Sequence, residues 1–152
     1  MLYSFLNFID SEFYVVLIQL ALSIIQIISY WELFKKAGVN GWVSLIPIYS
    51  GYKIYDVVWN SKYYLLTIGL MFVNAIDIYL IKNFFATGII MIVLTVIRVG
   101  IILLSWFIQF NFCRHLALSY GKNIGFAIGL FFLSTIFLMI LAFGKSKYVG
   151  KR

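Results

Sequence analysis

The sequence predicts an all-α membrane protein with four transmembrane helices and one broken amphipathic helix at the membrane interface. Of its 152 residues, 64% are hydrophobic and only 11% are charged, and the mean hydropathy is +1.02. A soluble domain of this size has too much surface for its volume to bury so many apolar side chains. Several apolar runs of about 20 residues also have the length that a helix needs to cross a bilayer.

Four segments are predicted to cross the membrane, all within a single integral membrane domain over residues 1–152. They cover approximately residues 13–34, 63–81, 86–112 and 124–143. The first is expected to be a retained span, because Asp10 and Glu12 precede it where a secretory signal would carry basic residues. The third is longer than the bilayer is thick, so its end is expected to project into solvent. A basic loop or helix extension follows it.

Residues 40–59 are expected to lie along the membrane surface. Lys53 and Asp56 make this segment a poor transmembrane helix, and Pro47 predicts a kink or break because it removes a backbone donor. Large side chains recur there at intervals of three, four and seven, which places them on one helical face: Trp42, Leu45, Tyr49, Tyr52 and Trp59. The segment therefore predicts an interfacial motif that includes Trp42, Pro47 and Tyr49.

The net charge of +7 indicates an anionic partner, and the bilayer fits it better than nucleic acid. The basic residues lie at the ends of predicted spans beside aromatic residues, where they anchor helices to headgroups. Orientation is left open. Lys35 and Lys36 after the first span favour an outside N-terminus, whereas four spans would then place the basic C-terminal tail outside as well.

Polar side chains form one stripe on each of three predicted spans. The stripes are Gln19, Ser23, Gln26 and Tyr30; Thr67, Asn74 and Asp77; and Thr95, Arg98, Ser105 and Gln109. An arginine near the middle of a span is costly, so one interpretation is a hydrophilic path or ligand site centred on Arg98. The other is that the stripes pair with each other and fix helix packing. Direct pairing of Asp77 with Arg98 is not expected, because their depths differ by roughly 13 Å measured from the connector between their helices.

Three glycines recur at every fourth position at the start of the last span, namely Gly121, Gly125 and Gly129. Small residues at this spacing let two helix backbones approach closely. The contact can lie within one chain or between two copies of it. The pattern does not separate these alternatives.

No residue set for catalysis or metal binding is recognisable. The chain has one cysteine, Cys113, and one histidine, His115. These counts exclude an internal disulfide and a cysteine- or histidine-rich metal site. A Ser–Lys pair can be drawn from Ser44 or Ser61 with Lys53 or Lys62, but no surrounding motif supports it, and established catalytic and nucleotide-binding motifs are missing. We therefore expect no enzyme activity, no catalytic residues, no metal and no cofactor.

Two motifs in the first third of the chain resemble those of a family of small bacterial four-helix membrane proteins, catalogued as a domain of unknown function. They read W-x-x-F-x-K-A-G from Trp31 and G-W-x-x-L-I-P-x-Y from Gly41, and C-terminal positions also agree. Ser50 departs from the usual asparagine, and the proline expected near Ser134 is missing. Some relatives are labelled as, or fused with, signal peptidase I. That activity is not carried over, because this chain lacks the catalytic domain that the label implies.

The resemblance implies a multi-pass protein of the bacterial cytoplasmic (inner) membrane. The predicted function is a non-enzymatic accessory, partner-binding or self-protection (immunity-like) module, whose aromatic interfacial face meets a membrane protein partner. The alternative is a small transporter or channel, a homo-oligomer with a polar interior around Arg98. Replacing Arg98 with Leu discriminates between them through its effect on flux and on folding.

Overall fold

The computed structural model describes residues 2–83 and 88–151, with side chains described for residues 13–79, 88–89 and 91–151. All regular structure within these ranges is helical. The elements are α1 (Leu2–Lys36), a 3-10 helix (Gly41–Leu45), α2 (Pro47–Val58), α3 (Ser61–Asn83), α4 (Ile89–Ser119), α5 (Ile124–Phe132) and α6 (Ser134–Phe143). The all-α prediction is confirmed.

Two stretches, Phe13–Lys36 and Met91–Ser119, are helices long and apolar enough to cross a membrane. The helix predicted over 63–81 is present as α3, but it is not one of these two. The start predicted for the third span, near residue 86, lies outside the described residues. The prediction of one continuous helix over 124–143 is wrong, because α5 and α6 have only 9 and 10 residues.

The break between α5 and α6 lies at Leu133, and residues 130–143 contain neither proline nor glycine. The rings of Phe126 and Phe137 are 5.0 Å apart, although eleven residues of straight helix would separate them by about 16 Å along the axis. Phe137 also lies directly against Gly129, where a Cβ would collide with its ring. The two helices are therefore folded against each other, and packing rather than a helix-breaking residue produces the bend.

The connection from α1 into the surface segment follows local rules. Gly38 has φ +73°, and the Val39 and Gly38 amides donate to the Phe34 and Lys35 carbonyls, which is the Schellman ending of a helix. The predicted break at Pro47 is confirmed: the 3-10 helix ends at Leu45 and the proline begins α2, where its missing N–H costs no hydrogen bond.

The hydrophobic core lies at one end of the molecule. The last turn of α1, the 3-10 helix, α2, the end of α4, α5 and α6 surround it. Leu116, Ala117 and Tyr120 are buried there, so the expectation that this end of α4 projects into solvent is wrong. The C-terminal segment packs on the same end, where the Tyr148 hydroxyl donates to the Val57 carbonyl at 2.9 Å.

Away from this packed end, the helices form two arms with exposed apolar side chains. The α1 arm comprises residues 13–24, and the α3–α4 arm comprises residues 65–79 and 91–107. α1 packs on α6 and the 3-10 helix, whereas α3 packs on α2 and α4. The apolar side chains of both arms are therefore exposed and are not packed into the core.

Candidate functional site

Arg98 and Asp77 form an ion pair between α4 and α3. The Arg98 Nε donates to the Asp77 Oδ2 at 3.1 Å, and the aspartate side chain is only 7% exposed. The expectation that these residues would not pair is wrong. α3 continues to Asn83 and α4 begins only at Ile89, so the two residues lie about 9 Å and 13 Å from those helix ends. The remaining difference in depth is small enough for the arginine side chain to span.

The ion pair changes the interpretation of the polar stripes. A paired arginine and carboxylate neutralise each other, as ionisable residues inside membrane proteins usually do. The second carboxylate oxygen of Asp77, Oδ1, is nevertheless buried and accepts no hydrogen bond. The ion pair therefore joins α3 to α4 and leaves one carboxylate oxygen of Asp77 without a hydrogen bond.

The glutamines of the predicted stripes line two cavities beside α1. Gln19 and Gln26 line an open cavity of about 340 Å³ along the α1 arm. Gln26 also lines a cavity of about 200 Å³ together with Gln109, and its side-chain amide donates to the Thr135 hydroxyl at 3.4 Å. Gln26 thus shares one cavity with Gln19 and another with Gln109, and neither cavity is lined by Asp77 or Arg98.

Asn74 lies in a separate groove on the α3–α4 arm. The groove has a volume of about 270 Å³ and is lined by Leu70, Met71, Asn74, Ile102, Ser105 and Trp106. The Ser105 hydroxyl is satisfied by the Ile101 carbonyl at 2.8 Å. Within the described part of the chain, the Asn74 amide has no hydrogen-bond partner. This groove, which we call the Asn74 groove, therefore combines an apolar surface with one unsatisfied amide.

The helical face predicted for residues 40–59 is exposed except at its last member. Trp42 and Tyr49 are exposed, as are Leu45 and Tyr52, whereas Trp59 packs at the edge of the core. The Trp59 indole stacks on the Tyr63 ring at 3.7 Å and on the His115 ring at 4.8 Å.

Ser44 occupies a position whose importance the sequence does not reveal. It is 3% exposed, its hydroxyl has no hydrogen-bond partner, and it lines a cavity of about 430 Å³ between α1, the 3-10 helix, α2 and α3. Lys53, one candidate base for it, pairs with Asp56 at 3.0 Å, and this hydrogen bond raises the pKa of Lys53. The geometry therefore presents Ser44 as an unsatisfied donor and acceptor, with no base hydrogen-bonded to its hydroxyl.

The three glycines of the predicted packing motif lie in different environments. Gly121 has φ +71° and forms the turn after α4, and Gly125 is exposed. Gly129 alone among them contacts a neighbouring ring closely, that of Phe137. At Gly129 the close contact lies within one chain.

No group of three His, Cys, Asp or Glu residues lies close enough to hold a metal ion, as far as the described residues extend. Comparisons with protein-family models, with curated protein sequences and with solved structures gave no match. The family resemblance of the two motifs stays a prediction. A proposal of function therefore rests on the contacts within this chain.

Proposed function

We propose that this chain is a non-enzymatic, multi-pass protein of the bacterial cytoplasmic membrane that binds a partner membrane protein. α1, α3, α4 and the folded α5–α6 pair form its four-helix bundle in the bilayer, and the 3-10 helix with α2 lies at one interface. The exposed apolar arms support this placement. Trp42 and Tyr49 support it as well, because amphipathic aromatic side chains favour the headgroup region.

The unsatisfied amide in the Asn74 groove carries the proposal of partner binding. Inside a bilayer there is no water to accept or donate hydrogen bonds, so an unpaired amide is costly. Asparagine side chains between membrane helices commonly satisfy each other's donors and acceptors across the interface. The partner that fits is a transmembrane helix with a small or polar residue at the depth of Asn74.

The shape of the groove supports the same partner. Two neighbouring helices form its walls, and Met71 and Trp106 are 68% and 62% exposed beside the amide. A helix packed between such walls would bury these side chains and complete the hydrogen bonds of Asn74. An accessory role and an immunity-like role differ in the identity of that helix, and both use this groove.

Site-specific photocrosslinking in native membranes tests the proposal. Met71, in the groove, and Leu103, which is similarly exposed at 60% on α4 but does not line it, are each replaced by a photoreactive phenylalanine analogue. We expect a discrete protein adduct from position 71 and only lipid adducts from position 103. Adding Asn74→Leu is expected to reduce the adduct about fivefold to thirtyfold, the equivalent of one hydrogen bond between membrane helices.

Equal protein adducts from both positions, or an adduct insensitive to Asn74→Leu, would contradict partner binding at the groove. An adduct with a second copy of this chain would replace the partner protein with a homo-oligomer. In either case the distribution of adducts identifies the surface in use.

A small oligomeric transporter or channel is the second candidate, and the buried Asp77 Oδ1 favours it. An unused carboxylate oxygen beside a membrane arginine can accept a proton or a cation in transit. Reconstituted protein with Arg98→Leu tests this function. Loss of flux in a variant that keeps its expression and fold would support transport, whereas loss of folding alone would support a structural pair.

A further inference from the structure

We infer that the cavity beside Ser44 binds the uncharged head of a membrane amphiphile of the neutral acylglycerol class. The cavity has a volume of about 430 Å³, within the usual range for small-molecule sites. Its polar lining comes from α1, the 3-10 helix, α2 and α3: Ser23, Gln26, Tyr30, Ser44, Ser50 and Tyr64. This site is separate from the Asn74 groove, so neither depends on the other.

Ser44 provides the strongest indication of a ligand. A buried hydroxyl without a partner loses its hydrogen bonds to water and gains none in return. Ser44 is in this position, with an Oγ that is inaccessible and unpaired. Ser50, also buried at 5% exposure, presents a second hydroxyl to the same cavity. A ligand that offers both a donor and an acceptor would satisfy the Ser50 hydroxyl, and a change of the Ser44 rotamer would bring the Ser44 hydroxyl within reach of the same ligand.

The lining excludes a charged head. None of the residues that line this cavity, all within the described part of the chain, is acidic or basic. A phosphate or carboxylate placed there would be desolvated without an opposite charge, which is strongly unfavourable. Hydroxyl and amide groups instead match the hydroxyl and ester groups of an acylglycerol, because each of these lining groups can both donate and accept.

A path for the hydrocarbon tail leads away from the cavity along α1. The open cavity on the α1 arm shares Ser23 and Gln26 with the Ser44 cavity, and it is otherwise lined mainly by Val15, Ile18 and Leu22. From Ser23 to Val15 the helix rises about 12 Å, a length suited to a segment of an acyl chain. A polar cavity at the packed end thus continues into an apolar groove on the arm.

Binding of defined lipids to the full-length protein tests this inference. The protein is reconstituted in phosphatidylcholine nanodiscs containing equal minor fractions of monoolein, oleate or phosphatidylglycerol, and native mass spectrometry measures the bound lipid. We expect saturable retention of monoolein above the other two. Ser44→Ala is expected to weaken monoolein binding about threefold to tenfold, as the loss of one hydrogen bond does, whereas Ser44→Thr keeps it.

The matched control is Ser29→Ala, a buried serine that bonds the Ile25 carbonyl and does not line the cavity. Because the Ser44 hydroxyl is unsatisfied without ligand, Ser44→Ala is expected to be at least as stable as wild type, which separates binding from folding. Equal retention of oleate or phosphatidylglycerol would overturn the inference, as would unchanged monoolein binding in Ser44→Ala. A photocrosslink at position 71 would still stand in that case.

Discussion

The Arg98 Nε lies 3.1 Å from the Asp77 Oδ2, and this ion pair joins α4 to α3 within the exposed arm. Asp77 is 7% exposed, whereas about a third of the Arg98 side chain remains exposed. The arm thus presents a neutral pair where the sequence shows two isolated charges. The protein should be more stable with both charged residues, or with neither, than with one of them alone.

Breaking this pair should destabilise the protein more than removing it. Arg98→Leu leaves a buried, uncompensated carboxylate, and we expect a loss of about 3 kcal/mol, near the lower end for broken buried pairs because Arg98 is partly exposed. Asp77→Leu together with Arg98→Leu should recover most of that loss. Unfolding in mixed micelles, followed by circular dichroism, measures the free energy of unfolding of each variant. Additive losses in the double variant would contradict the pairing.

The contact between Gly129 and Phe137 should make the bend between α5 and α6 sensitive to one methyl group. Gly129→Ala places a Cβ against the Phe137 ring, and we expect a loss of about 1–3 kcal/mol from overpacking. Gly125→Ala is the matched control, because that position is exposed and an added Cβ would lie 3.6 Å from the Asn123 Oδ1, an ordinary contact distance. It should be neutral, or stabilising by up to about 1 kcal/mol. Thermal unfolding of both variants compares them, and equal effects would contradict the contact.

Tyr120 connects the end of α4 to the end of α1. Its hydroxyl donates to the Leu33 carbonyl at 2.7 Å, and both residues are buried. Tyr120→Phe should cost about 1 kcal/mol in the free energy of unfolding, since one buried hydrogen bond is lost. Tyr52→Phe, at an exposed tyrosine of α2, is the control and should change nothing. Similar losses of the free energy of unfolding in the two variants would show that the hydrogen bond from Tyr120 to Leu33 does not stabilise the fold.

Alkaline pH should unfold the packed end. Burial raises the pKa of Tyr120, and it does the same for Tyr55 and Tyr148. A pKa raised above the ordinary value of 10.0 means that the neutral phenol is favoured in the folded state. The resulting stability is therefore complete below pH 10 and is lost as pH rises above it.

A titration of stability against pH measures this effect through circular dichroism. Above pH 10, Tyr120 should lower the free energy of unfolding by about 1.4 kcal/mol per pH unit, because it ionises only in the unfolded chain. Tyr120→Phe should show a correspondingly shallower decline. An unchanged slope in that variant would place the sensitive tyrosine elsewhere.

Local rules were sufficient to predict much of the backbone. Pro47 predicted the break before α2, and the turn after α1 follows a similarly local rule, because Gly38 adopts the positive φ that ends many helices. The bend at Leu133 follows from Phe137 packing on Gly129, a contact between residues eight apart that no local signal marks. The burial of the end of α4 has a similar cause, since it packs with residues from other elements of the core.

The candidate sites were predictable only in part. Sequence stripes identified Asn74, Gln26 and Arg98 as unusual in membrane helices, and the structure places them in three different environments. Pairing of Arg98 with Asp77 depends on where α3 ends and α4 begins, and a shift of a few residues changes the depth by several ångströms. No sequence signal marks Ser44, because the cavity that it lines is formed by four elements that meet only in the folded chain.

Membrane placement underlies both proposed sites, and the depth of two tryptophans tests it most directly. Trp42 lies exposed on the 3-10 helix, whereas Trp106 precedes Phe112 by six residues, about 9 Å of helix. The Phe112 ring stacks on Tyr55 of α2 at 4.1 Å, so Phe112 lies at the same depth as α2. If α2 lies at the membrane interface, Trp106 lies about 9 Å deeper. Variants that keep only Trp42 or only Trp106 are reconstituted with phosphatidylcholines brominated at shallow or deep acyl positions.

We expect Trp42 fluorescence to be quenched best by shallow bromines and Trp106 fluorescence best by deep ones. That result would place the 3-10 helix and α2 at the interface and the α3–α4 arm in the hydrocarbon. If both tryptophans are quenched equally by shallow bromines, or Trp106 is quenched by aqueous acrylamide, the arm lies outside the bilayer. The proposed membrane placement of the chain would then be contradicted.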